Sequence, residues 1–121
     1  MKMLPVFESS GNGYLYSVLL NNIGTVLRDK EKFDTALTYF RKSLAIRLAL
    51  SDSDGICSVY QNIGNSHADL GQHDSAVHYL SAALEIALRI ASRSQIASCY
   101  AALGQAYALA KQFDKAYEYQ S

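Results

Sequence analysis

Three histidines lie close together in the chain, His67, His73 and His78, and two cysteines, Cys57 and Cys99, stand on either side of them. Imidazoles and thiolates are the usual ligands of zinc, and a cysteine paired with a histidine is a usual nucleophile. Ligands must converge on one point, however. On the helical reading developed below, His67 falls on a packed stripe, His73 in a turn and His78 on an outer face, so the three diverge. Cys57 and Cys99 form no C-x-x-C, occupy non-equivalent places in their helices and pair with no histidine in register. They are expected as buried or half-buried free thiols. The stretch Gly11-Asn12-Gly13 lacks the preceding strand and the following Lys-Ser/Thr of a phosphate loop. Tyr39, Tyr79 and Tyr119 recur at a spacing of forty, but stacking on nucleic acid would need a basic surround. The nearest basic strip, Arg41, Lys42 and Arg47, reads as a solvated helix face. No paired carboxylates stand in an apolar setting. The chemistry-bearing residues therefore compose no catalytic constellation, and the expectation is a non-enzyme with no metal and no cofactor.

What positions these residues is a repeat. Residues 21–40 (NNIGTVLRDKEKFDTALTYF), 61–80 (QNIGNSHADLGQHDSAVHYL) and 101–120 (AALGQAYALAKQFDKAYEYQ) align without gaps. Gly24, Gly64 and Gly104 mark the register, and Ala36, Ala76 and Ala116 and Asp34, Asp74 and Asp114 keep the same spacing of forty. Each unit reads as two helices. Tyr60, Ile63, His67 and Leu70 form one helical stripe. Gly71 suits the left-handed residue past a helix end. Asp74 stands at an N-cap position before a broad apolar face of Ala76, Val77, Leu80, Ala83, Leu84, Ala87 and Leu88. Unit one repeats that face with Ala36, Leu37, Phe40, Leu44 and Leu48. Unit three begins it with Ala116 and Tyr117. Helices are expected near 14–29, 34–50, 54–70, 74–91, 94–110 and 114–120, with no β-type alternation anywhere. A glycine inside a helix costs about 1 kcal/mol against alanine. One that recurs needs a reason, and close approach of the second helix at Ala36, Ala76 and Ala116 supplies it.

Composition agrees with a packed helical array. The 121 residues are half hydrophobic with a single proline, which excludes a disordered chain. Eleven basic residues balance eleven acidic ones, so neither a nucleic-acid nor an anionic membrane surface is expected. No apolar run is long enough for a spanning helix, and the first residues do not read as a signal peptide. A cytoplasmic setting is the default expectation.

The pattern resembles the tetratricopeptide repeat. Ile23-Gly24, Ile63-Gly64 and Leu103-Gly104 give the apolar-glycine step, and Leu27 and Tyr107 follow three further on, where His67 departs. The alanine comes twelve after the glycine, then Phe40 or Leu80, then Ser43 or Ala83. Two features depart from the usual family pattern: the period is 40 rather than 34, and the proline that commonly ends a unit is missing. The second helix of each unit is thus expected to be the longer one. This extended variety is similar to repeats of kinesin light chain, Pins-type polarity adaptors and bacterial sensor and regulator proteins. The resemblance implies an all-α, right-handed solenoid of antiparallel helix pairs, about three units. Residues 1–13 form a lead that is partly flexible or the tail of a preceding unit. Unit one spans 14–53, unit two 54–93, and a truncated unit three 94–121.

The resemblance also implies where binding occurs. The first helix of each unit lines the concave face, and counting from the glycine places Asn21, Asn22, Thr25 and Arg28, Gln61, Asn62, Asn65 and Asp69, and Gln105 in the groove. Val18, Ser58 and Ser98 occupy groove positions as well. A carboxamide carries donor and acceptor on one flat group, so an array of them can pair with the backbone of an extended peptide. Asn22, Asn62 and Asn65 are similar to the asparagine ladder of kinesin light chain and Pins-type repeats. Only Arg28 is basic there, which disfavours the carboxylate clamp of chaperone-binding members. The expected function is a protein–protein interaction module that binds a peptide segment. The alternative is a structural, dimerising part of a signalling protein whose uncapped C-terminal end packs on a second copy.

Overall fold

The structure, a computed structural model, describes residues 12–110. Five helices follow one another: α1 (Gly13–Asp29), α2 (Phe33–Ala49), α3 (Ser53–Asp69), α4 (His73–Arg89) and α5 (Arg93–Leu109). They start twenty residues apart, and each is 17 residues long. The forty-residue unit is therefore two equal helices with two equal links, and the second helix is no longer than the first. The extra length over the usual unit is shared, because one link geometry closes both halves. No strand occurs among the described residues. The expected helix over 114–120, Gly104's partner Ala116, Tyr119, residues 1–11 of the expected 1–13 lead and the C-terminal end lie outside the described residues; Asn12 caps α1 and Gly13 opens it.

The links repeat at atomic detail. Glu31, Ser51, Gly71 and Ala91, again twenty apart, all take positive φ (61°, 53°, 76° and 56°). The amide of the following residue reaches back five positions in each link: Lys32 to Leu27 O (2.9 Å), Asp52 to Arg47 O (3.0 Å), Gln72 to His67 O (2.8 Å) and Ser92 to Ala87 O (3.1 Å). The left-handed residue itself bonds three back, to Arg28, Leu48, Ala68 and Leu88. This is the Schellman arrangement, which satisfies the last carbonyls of a helix. Glycine was expected at Gly71; the other three links hold the same conformation with side chains. The N-caps are Lys32, Asp52, Gln72 and Ser92. Asp34 and Asp74 therefore sit two residues past the cap, in the first turn. There the carboxylate faces the positive end of the helix dipole without accepting a capping bond.

Each helix packs on the next in sequence, and α3 also touches both α1 and α5, whereas no comparable packing joins α2 to α4. The first helices thus form the inner layer of an all-α solenoid of helix pairs, and the second helices fan outward. The pairs close around buried Phe40 and Leu80, each wholly inaccessible. The marker glycines explain the closeness. A Cβ on Gly24 would lie 2.6 Å from Phe40 Cε1. One on Gly64 would lie 2.8 Å from Leu80 Cγ and 3.2 Å from Ala76 O, so the glycine–alanine crossing is in contact as the repeat implies.

Three apolar-face and charge assignments change. Leu48 and Leu88 are about half exposed, because Ile46-Arg47 and Ile86-Ala87 take the inward positions at that end and leave the next residue turned out. Arg47 is not part of a solvated strip. It is buried, donating from Nη1 to Gly55 O (2.9 Å) and from Nε to Ser17 Oγ (3.3 Å). Ser43 Oγ bonds Ser17 O beside it (2.7 Å). With no Cβ, Gly55 lets the Arg47 stem pass against α3, 2.9 Å from where a Cβ would stand.

Candidate functional site: the inner polar groove

The inner layer carries an open groove of about 620 Å³, lined by Asn21 of α1, Asp54, Ser58, Gln61, Asn62 and Asn65 of α3, and Ser94, Gln95 and Ser98 of α5. Its walls are held by side chains one unit apart. Asn62 Nδ2 donates to Asn21 Oδ1 (2.8 Å), Arg28 Nε to Asp69 Oδ2 (2.6 Å), and Gln95 Nε2 to Asp54 Oδ1 (2.6 Å). All three pairs span 41 positions. Each first helix therefore meets the next with a one-residue shift beyond the sequence period, and 21/62 and 28/69 are successive steps of one seam. Gln61 is a junction in the floor. It donates to Gln95 Oε1 (2.8 Å) and accepts from Ser98 Oγ (2.7 Å), and it is only 8% exposed.

The structure thus gathers Asn21, Gln61, Asn62 and Asn65 in one groove and separates the other sequence-derived positions from it. Asn22 is exposed and lines a different, apolar depression with Ile23, Val26, Leu27, Lys30 and Lys32. Thr25 bonds its own helix at Asn21 O (3.1 Å). Arg28 and Asp69 form the ion pair on the seam, outside the groove lining. Gln105 is exposed on α5 and does not line the groove. Asp54, Ser94 and Gln95 were not singled out. They lie three or four positions before Ser58 and Ser98, so extending the stripe by one helical turn would have found them.

Much of the polar array is paired within the protein, which defines what is left for a ligand. The Asn21–Asn62 bond uses one half of each carboxamide and leaves Asn21 Nδ2 and Asn62 Oδ1. The Asn65 carboxamide makes no hydrogen bond to another described residue, nor do the hydroxyls of Ser58 and Ser94. Asp54 is the one formally charged side chain in the lining, and it is held by Gln95. The groove therefore offers neutral donors and acceptors at adjacent points.

The histidines and cysteines behave differently from one another. His67 is buried, bonded through Nδ1 to Gln72 Oε1 (2.6 Å) and stacked on Tyr79 (5.5 Å between centroids, 4° between planes). His78 meets the same tyrosine edge-on. The ring of Tyr79 is shared between them, and no metal-binding group of three or more His, Cys, Asp or Glu exists among the described residues. His67 Nε2 and His73 Nδ1 are buried without a hydrogen-bond partner. Cys57 and Cys99 are both fully buried and free, and they share one core cluster with Ile56, Ala83, Ile86 and Ala87. Burial pushes both thiols up, that of Cys99 to about 12, so neither is an activated nucleophile. No helix among the described residues is long and apolar enough to cross a membrane.

Comparison with known proteins agrees with this architecture. A family profile described as tetratricopeptide repeat matches residues 15–89 and 55–120. The chain is similar to the crystal structure of the TPR domain of Arabidopsis FLU, with a TM-score of 0.84 and 21% identity over 89% of this chain and 91% of that one. It is also similar to BtubC (BKLC) from P. vanneervenii, with a TM-score of 0.81 and 22% identity over 96% of this chain and 49% of that one. A search of curated proteins finds no significant match.

Proposed function

The chain belongs to the tetratricopeptide repeat family, a fold of protein–protein interaction modules, and we propose that its inner groove binds an extended peptide segment of a partner protein through the peptide backbone. The observation that carries this reading is the unspent hydrogen bonding at Asn21, Asn62 and Asn65. Asn21 Nδ2 is a donor, Asn62 Oδ1 an acceptor, and Asn65 both. A peptide laid in the groove loses water from its N–H and C=O groups and must replace those bonds. Neutral carboxamides do so without the desolvation cost of an ion. The absence of a lysine or arginine from the lining favours an internal segment over a C-terminal carboxylate. The pre-bonded floor, from Asp54 through Gln95 to Gln61 and Ser98, holds the groove rigid before the ligand arrives, which lowers the ordering cost of binding. The module is non-catalytic on this reading. Its two reduced core thiols suit the reducing cytoplasm.

The test is selection of binding peptides from a displayed library, followed by titration against the wild type and an Asn62→Ala/Asn65→Ala variant. The double variant loses three backbone bonds, one at Asn62 and two at Asn65, each worth about 1 kcal/mol, so it is expected to bind about 150-fold more weakly. Equal affinity with an unchanged circular dichroism spectrum would refute the groove assignment.

A further inference from the structure

The two seams of the inner layer treat their carboxylates differently. Asp69 and Asp54 each meet a side chain 41 positions away on a neighbouring first helix. Asp69 is neutralised there by Arg28 and lies outside the groove lining. Asp54 meets only the neutral carboxamide of Gln95, and it is exposed within the lining. The pair Arg28–Asp69 is the one ion pair among the described residues. Arg47, at the end of α2, spends its head on Gly55 O and Ser17 Oγ. The charge of Asp54 is therefore left unbalanced at the groove.

The hydrogen bonds of the floor all run toward this carboxylate. Ser98 Oγ donates to Gln61 Oε1 (2.7 Å) and Gln61 Nε2 to Gln95 Oε1 (2.8 Å). Gln95 Nε2 then donates to Asp54 Oδ1 (2.6 Å) and to Asp54 O (3.2 Å). A carboxylate only accepts, so it closes the chain. Its Oδ2 bonds no described residue. The helix dipole explains an acid at this point of a helix, since Asp34 and Asp74 hold the same place in α2 and α4. Those two lie outside the groove lining. Asp54 is the copy on an inner helix, and a second helix fixes its side chain. The lining then continues along α3 through Ser58 and Asn62 to Asn65. At 1.5 Å of rise per residue, Asp54 stands about 12 Å from Asn62 along the axis. An extended segment laid along α3 covers that distance in about four residues.

Resting on the reading that the groove binds an extended peptide, we propose that Asp54 is its specificity residue and takes a lysine or arginine side chain of the bound segment, about four residues from the one paired with Asn62. The carboxamides read the backbone and are indifferent to side chains. The carboxylate supplies the selection, attracting a basic segment and turning away an acidic one. Gln95 holds the carboxylate in place before the partner arrives, so little side-chain ordering is left to be done on binding.

The test uses random peptides selected from a displayed library on the full chain. One selected peptide, and a copy with its basic residue replaced by glutamine, are titrated against the wild type and Asp54→Asn. Asparagine keeps an acceptor for Gln95, and circular dichroism checks the fold. Selected peptides are expected to share a basic residue at one position. Asp54→Asn should weaken the basic peptide about tenfold and leave the glutamine copy unchanged. The wild type alone gives a second readout: added salt should weaken the basic peptide and not its copy. Equal losses for both peptides, no recurring basic residue, or equal salt dependence would overturn the role of Asp54. If Asn62→Ala/Asn65→Ala still weakens the glutamine copy in that event, the groove reading stands and only the selection falls. A library that returns no groove binder would overturn both.

Discussion

Gly64→Ala sets two well-measured effects against each other. Alanine is favoured over glycine inside a helix by about 1 kcal/mol, and Gly64 lies near the middle of α3. Propensity alone therefore predicts a more stable protein. Packing predicts the opposite. The added Cβ would stand 2.8 Å from Leu80 Cγ, 3.0 Å from its Cδ2 and 3.2 Å from Ala76 O. Cγ lies near the root of a wholly buried side chain and cannot swing aside, and the Ala76 oxygen is backbone. The helices must separate by several tenths of an ångström over the contact. Overpacking of this kind costs about 1–3 kcal/mol. It coincides with a crossing that the whole unit is built on, so the upper part of that range applies and the net effect is a loss of about 1–2 kcal/mol. In a domain of this size that lowers Tm by about 4–8 °C per kcal/mol. Thermal and urea unfolding followed by circular dichroism reads it directly. A second cycle strengthens the inference: adding Leu80→Ala should make the two losses less than additive, since removing the leucine frees the space. A Gly64→Ala protein that melts higher than the wild type would refute the close-crossing argument.

The remaining expectations concern the links, the thiols and the odd histidine. Glu31→Gly, Ser51→Gly and Ala91→Gly each relieve a left-handed side-chain residue and should raise stability by about 0.5–1 kcal/mol, while Gly71→Ala should lower it by about 1; urea midpoints rank all four. The Cys99 thiol is held up to about 12 by burial. Its contribution is complete below the unfolded value near 9 and is lost as pH rises toward 12, because only the unfolded chain then sheds the proton. Stability should fall by about 1.4 kcal/mol per pH unit from this group above pH 9, and Cys99→Ala should flatten that slope. His67→Leu, which installs the residue that unit one has at Leu27, removes a buried nitrogen without a partner and should gain about 1 kcal/mol in denaturant unfolding.

The fold was legible because its signals are local and repeated. The apolar stripes and marker glycines place every described helix to within two residues at either end. What the sequence hid depends on the third dimension. Glu31, Ser51 and Ala91 carry no turn signature of their own; only the identity of their links with that of Gly71 reveals them. Arg47 reads as surface charge until Gly55 and Ser17 are seen to enclose its head. In the groove, Asn62 and Asn65 share one lining with Asn21. Asn22 is not with them, because the one-residue shift between neighbouring first helices brings Asn21 rather than Asn22 opposite Asn62. That shift is a property of the stacking, and no single helix encodes it. Cys57 and Cys99, which are non-equivalent in the repeat, likewise meet only through the stacking of the helices, in one core cluster.

The most direct measurement of the central claim is an amide chemical-shift map of the protein titrated with a library-selected peptide. The account predicts the largest changes along the inner layer, at Asn21, Ser58, Asn62, Asn65 and Gln95, together with changes in the carboxamide signals of Asn62 and Asn65. Changes confined to the outer helices around Leu48 and Leu88, with the groove signals unmoved, would contradict it.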